Sequence, residues 1–173
     1  MTMSTLRASV PAFQLDATRA SCPRGFVASG LACGLRKSGK PDLALFLAPS
    51  GASVAGVFTK NRLCAAPVTL SQRHLAACAG AGRAVLINSG CANAATGALG
   101  EANAAAMAAL AAGAIGCAAQ EVLIASTGVI GPQLEIEKIR AAMPALAAGA
   151  SADDLSLAAD SILTTDTCRK AAE

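Results

Sequence analysis

The chain has 173 residues and a formal net charge of +3, with 54% apolar, 14% charged and 2% aromatic residues. That is enough apolar material for one ordinary domain, read here as residues 1–173, and the composition excludes a disordered segment. The Lys and Arg residues form no block and there is no Trp or Tyr, so nucleic acid is not an expected partner: nothing tracks phosphates and little stacks on bases.

At the N-terminus, MTMSTLRASVPAFQLD has no basic start followed by an apolar run, so no secretory leader is expected. Gly25 to Leu35, then the turn chemistry of Ser38-Gly39-Lys40-Pro41-Asp42, then Leu43 to Ala48 predict strand, turn, strand. Ser53 to Phe58 predicts a third strand. A short helix is expected over Gln72 to Cys78. The run "AVLIN", Ala84 to Asn88, has the length and branched residues of a buried strand.

A loop from Ser89 to Gly100 leads into a long alanine-rich helix. The segment Ala102 to Ala119 is apolar, but it is built from Ala and Gly with an Asn103 and falls short of a bilayer-spanning length. A small-residue helix packed on a sheet is therefore expected, not a membrane span. Glu121 to Ala125 predicts another strand, and Pro132 the start of a helix with Glu135 and Glu137 favourable to its dipole. Pro144 predicts its end near Met143. Ser151 and Asp154 resemble a capping box for a last helix toward Ile162. Strands followed by alternating strands and helices predict an α/β domain, layered in the manner of α+β folds.

Seven cysteines, at 22, 33, 64, 78, 91, 117 and 168, include no C-x-x-C pair, and His74 is the one histidine. No metal site and no complete disulfide framework follow from such spacing, and the thiols are expected to be reduced, mostly buried and cytoplasmic. A Cys91–His74 nucleophilic pair is conceivable chemically, yet nothing in the sequence brings the two together.

Two polar stretches follow apolar runs: "NSGCANAATG", Asn88 to Gly97, and "STGVIG", Ser126 to Gly131. Strand ends of this kind are where α/β proteins keep their sites. Thr127 offers a hydroxyl and Gly128 an unobstructed N–H, a pair able to hold an oxyanion. The same residues also suit a plain strand-to-helix turn, with Ser126 or Thr127 bonding nearby backbone. Glycines 90, 97 and 100 match no nucleotide-binding pattern. Asn88, Ser89, Asn93 and Thr96 are expected to satisfy one another in a loop. In "LTTDT", Leu163 to Thr167, Thr164, Thr165 and Asp166 suit either a polar ligand or the end of a helix and the start of a strand.

Taken in order, "GFVASGLACGLRKSGKPDLALFLA", "AGVFTKNRLCAAPV", "AVLINSGCANAATG", "ASTGVIG" and "ILTTDT" resemble successive motifs of the ornithine acetyltransferase (glutamate N-acetyltransferase) family of arginine biosynthesis. The resemblance implies an α/β fold of the self-processing aminopeptidase type, of which this chain is the N-terminal half. It also implies a precursor that cleaves itself before a threonine, which becomes the nucleophile at the start of a second chain. That threonine takes the acetyl group of N-acetylornithine and passes it to glutamate by a ping-pong route, with acetyl-CoA an alternative donor and no cofactor required.

By the same resemblance, Thr127 and Gly128 form the oxyanion hole, and Thr164, or Thr165 as second choice, contacts substrate. The partner is a β chain from the same precursor, in an α2β2 assembly in the cytoplasm. The sequence departs from the family at Cys91, where the loop usually has asparagine. The family's lysine-bearing glycine loop and A-T-M cleavage site have no counterpart up to Glu173, so this portion is expected to be inactive alone. Two rival readings remain: a related self-processing aminopeptidase or amidase, and a truncated, non-catalytic fragment.

Overall fold

The computed structural model describes residues 21–153 and 155–166. Four strands, β1 (Val27–Leu31), β2 (Leu43–Ser53), β3 (Ala81–Cys91) and β4 (Val122–Val129), form one sheet in the order β1-β2-β3-β4. β1 and β2 pair antiparallel, as do β2 and β3, whereas β3 and β4 are parallel. A parallel pair needs a crossover, and helix α2 (Gly97–Ile115) provides it. Helices α1 (Ala66–Ala77), α3 (Ile136–Ala148) and α4 (Ser156–Ser161) complete the layers, and the mixed α/β expectation is met.

One sheet face carries the main core. Leu43, Leu45, Leu86, Val122 and Ile124 pack with Leu70 of α1, Met107, Ala108 and Ala111 of α2, and Ile139, Met143 and Leu146 of α3. Alanine on α2 permits the close approach that a tightly packed interior requires. α2 is long and apolar enough to cross a bilayer by length and composition, yet its buried residues join this core. On the opposite face a smaller cluster joins Ala28, Ala44 and Ala158, with Phe46, Ile87 and Leu155 beside it.

β4 is an edge strand, and α1 covers that edge with side chains. Ser71 Oγ donates to Ile124 O at 2.8 Å and accepts from Ile124 N at 2.9 Å, while His74 Nδ1 lies 2.8 Å from Val122 O. Edge groups that would otherwise invite another strand are thereby occupied.

Several boundaries differ from the sequence reading. Residues 54–58 form no strand: β3 begins at Ala81, opposite Ser53, the pairing runs out in a single bond from Val54 N to Gly80 O at 2.8 Å, and Val57 is 99% exposed. α1 starts at Ala66 rather than Gln72 because Pro67 occupies its first turn, where proline's missing N–H is harmless. β3 runs on through Asn88, Ser89, Gly90 and Cys91, and β4 through Ser126, Thr127 and Gly128, so these residues extend the strands instead of forming loops. α2 begins at Gly97 and ends at Ile115, capped by Gly116, whose φ of 69° is left-handed.

α3 starts at Ile136, not Pro132, and passes through Pro144 to Ala148. Burial of Ile139, Met143 and Leu146 overrides the lost backbone bond. α4 starts at Ser156 with Leu155 as its N-cap, later than expected; Ser151 bridges Ala28 and its Oγ accepts from Asp153 N at 3.1 Å, while the other member of the expected capping box, Asp154, lies outside the described residues. The described cysteines are free thiols, but only Cys91 is buried and the others are half-buried; Cys168 lies outside the described residues.

Candidate functional site

The parallel pairing of β3 and β4 places Asn88 beside Ser126, Ser89 beside Thr127 and Gly90 beside Gly128. Gly128 has φ +133°, and a Cβ there would overlap the Gly90 carbonyl carbon and lie 2.7 Å from Cys91 N and Gly90 O. Only glycine lets β4 lie this close to β3 at their C-terminal ends. Since both backbone groups of Ile124 face α1 at the outer edge, the alternation of the strand turns the N–H of Ser126 and Gly128 to that same side, away from the ladder with β3.

At these strand ends lies an open cleft of about 410 Å³, lined by Arg36, Gly90, Thr127, Gly128, Val129, Thr164 and Thr165. The four residues singled out in the sequence, Thr127, Gly128, Thr164 and Thr165, thus share one cavity. Arg36, Gly90 and Val129 were not singled out. Arg36 had a local signal, its place in the "GLRKSGKPD" turn, but turn chemistry alone says nothing about a cleft.

Asp42, fully buried, organises that turn. Its Oδ1 accepts from Cys33 N at 2.7 Å and its Oδ2 from Arg36 N at 2.8 Å. Burial pushes the Cys33 thiol up to about 12, with a hydrogen bond to Asp42 and the carboxylate's charge adding to it. Ser89 N donates to Asp42 O at 2.8 Å, which ties the turn to β3.

The residues between β3 and α2 are held from both sides. Thr96 Oγ1 donates to Asn93 Oδ1 at 2.8 Å, and Asn93 Nδ2 donates to Gly100 O at 2.9 Å. Ala92 N donates to Val129 O and Gly131 N to Ala94 O, while Gln133 Nε2 reaches Thr96 O at 3.0 Å. Asn93 and Thr96 therefore satisfy each other as expected. Asn88 and Ser89 do not join them: Asn88 Nδ2 donates to Cys91 O at 2.9 Å, and Asn88 Oδ1, Ser89 Oγ and Ser126 Oγ are buried without a partner among the described residues. Buried polar atoms of this kind are uncommon; Asn88 and Ser126 are partners across the parallel pair, and Ser89 is the next residue of β3. Cys91 and His74 form no pair, since Cys91 Sγ donates to Pro132 O at 3.3 Å and His74 engages Val122 O. Among the described residues no group of His, Cys, Asp and Glu suits a metal ion.

The family model of the ArgJ family matches residues 27–173. The chain belongs to the ArgJ family. It is 52% identical over 149 residues to the arginine biosynthesis bifunctional protein ArgJ of Chlorobaculum tepidum, covering 86% of this chain and 37% of that protein. For the protein of the same description from Prochlorococcus marinus the figures are 47% over 150 residues, 87% and 35%. The chain thus spans little more than a third of these relatives' length. Among solved structures, the ornithine acetyltransferase of Mycobacterium tuberculosis complexed with ornithine superimposes with a TM-score of 0.84 at 38% identity, covering 90% of this chain and 84% of that one. ArgJ from Bacillus halodurans gives 0.78 at 33% identity, covering 86% and 78%. The mixed α/β fold is that of the ornithine acetyltransferase structures.

Proposed function

We propose that this ArgJ-family chain supplies the oxyanion hole and part of the substrate pocket of an acetyltransferase that moves acetyl from N-acetylornithine to glutamate. The supporting observation is the cleft that unites Thr127 and Gly128 with Thr164 and Thr165 at the C-terminal ends of the parallel strands. In this reading a threonine on a β chain, released by self-cleavage of a common precursor, attacks the acetyl carbonyl. The Thr127 hydroxyl and the Gly128 N–H bind the oxygen as it takes up negative charge. Collapse breaks the C–N bond, ornithine leaves with the proton on its amine, and an acetyl ester remains on the threonine. The amine of glutamate then attacks that ester, and the same two donors serve the second tetrahedral intermediate.

Thr164, or alternatively Thr165, contacts the substrate. The acyl chemistry requires no metal or cofactor, acetyl-CoA is a second candidate donor, and α2β2 is the proposed assembly, working in the cytoplasm. Without the β chain the present portion is expected to be inactive.

The test is Thr127→Ala in protein completed to the length of its curated relatives, assayed with N-acetylornithine and with glutamate or water as acceptor. Loss of an oxyanion donor lowers kcat by about 100- to 1000-fold, with unfolding unchanged. A variant that keeps wild-type kcat would refute the oxyanion role, and equal transfer to water would favour an amidase.

A further inference from the structure

We propose that Arg36 is the anchor for the α-carboxylate shared by the amino-acid donor and acceptor, an inference that rests on the acetyl-transfer reading above. Arg36 is the one cationic side chain among the described residues that line the cleft. Its stem lies over Gly90, with Cγ 3.0 Å from where a Gly90 Cβ would stand, and Gly90 pairs in register with Gly128. The guanidinium therefore approaches the same strand ends that carry the candidate oxyanion donors.

The arginine is held at two points. Its N–H donates to the buried carboxylate of Asp42 at 2.8 Å. Its Nη1 donates to Leu163 O at 3.0 Å, with Pro41 O at 3.5 Å. The first bond fixes the backbone, and the second joins the side chain to the segment bearing Thr164 and Thr165. No carboxylate of a described residue forms an ion pair with it, whereas Lys138 pairs with Glu135 and Arg140 with Glu137. A guanidinium has five donors in a planar fork suited to a carboxylate. Among the described residues the bonds to Leu163 O and Pro41 O both come from Nη1, with Nε and Nη2 the donors proposed to meet a ligand.

Covalent geometry selects the ligand group. In an N-acetyl α-amino acid, only the amide nitrogen and Cα separate the acetyl carbonyl carbon from the carboxylate carbon, so the two lie within about 4 Å of each other. If the acetyl oxygen sits at Thr127 and Gly128, the α-carboxylate must sit in the same cleft, where Arg36 is the cation among the described residues. Ornithine and glutamate share this carboxylate and differ in the sign of the side-chain charge. No acidic side chain lines the cleft among the described residues. Arg36 thus serves the common part of both substrates, and discrimination between their side chains falls to other parts of the family-length protein.

The experiment compares equilibrium binding of ornithine and putrescine, which lacks the carboxylate, to family-length wild type, Arg36→Met and Arg36→Gln. Wild type is expected to prefer ornithine by about 10- to 100-fold, the range for a charge-assisted hydrogen-bonded contact. Both variants should bring that preference to within about threefold. Arg36→Gln retains an amide donor, so it carries the comparison if Arg36→Met does not melt cooperatively. A wild type without preference, a variant that keeps it, or parallel weakening of both ligands overturns the proposal, the last showing that Arg36 merely holds the segment after Leu163. Acetyl transfer by the wild type is scored separately: its absence removes the acetyltransferase reading, while the binding ratio still decides whether Arg36 anchors a carboxylate.

Discussion

Replacing Gly128 by alanine should be among the most damaging single-methyl changes in this fold. The added Cβ would overlap the Gly90 carbonyl carbon and sit 2.7 Å from Cys91 N and Gly90 O, all backbone atoms of β3 that no rotamer change can move aside. The residue would also hold φ +133°, a conformation that costs a non-glycine residue roughly 1–3 kcal/mol. Overpacking adds roughly 1–3 kcal/mol, which gives about 4 kcal/mol together. Gly116→Ala is the control, because Gly116 is also left-handed at φ +69° but has nothing within 4 Å of its Cβ position; it should lose only about 1 kcal/mol. Urea unfolding of the family-length protein followed by far-UV circular dichroism measures both. Equal losses for the two variants would refute the argument that contact with β3 adds to the backbone-angle cost at Gly128.

Ser71→Ala removes the hydroxyl that serves both Ile124 backbone groups and should cost about 1–3 kcal/mol; a change under 0.5 kcal/mol in the same unfolding assay would show that water replaces it freely. The Cys33 thiol has a folded pKa of about 12 against an ordinary 9.0, so its contribution to stability is complete below about pH 9 and is lost as pH rises toward 12. Unfolding free energies between pH 8 and 11 should therefore fall more steeply for wild type than for Cys33→Ala, and Cys33 should alkylate more slowly than a free thiol at pH 8.5; matching slopes would contradict this. Intact mass spectrometry of the protein purified under non-denaturing conditions should find a co-purifying second chain that begins with threonine, and a lone chain without one would remove the proposed nucleophile.

How legible the fold was depended on how local each signal is. The apolar runs at Leu43, Ala84 and Val122 reported their strands directly, because alternation and β-branched content act within a few residues. Boundaries were less legible. Ser89 to Cys91 and Ser126 to Gly128 read as loops from their polarity, yet they extend β3 and β4 because the two segments pair with each other, a contact that neither segment encodes alone. Pro144 reads as a helix stop, but buried Ile139, Met143 and Leu146 carry α3 past it.

The same division holds for the site. The motifs, the α/β character and the residue types with useful chemistry were legible along the chain: Thr127 and Gly128 after an apolar run, Thr164 and Thr165 in "LTTDT". Only the tertiary structure decided that these share one cleft and that Arg36 belongs with them, since Arg36 meets Leu163 across 127 positions of chain. It also decided that Gly128 must be glycine, because the Gly90 backbone lies where a side chain would go. The physical reason is separation along the chain. Propensity and polarity act between neighbours, whereas a cleft is made by packing that joins segments far apart in sequence.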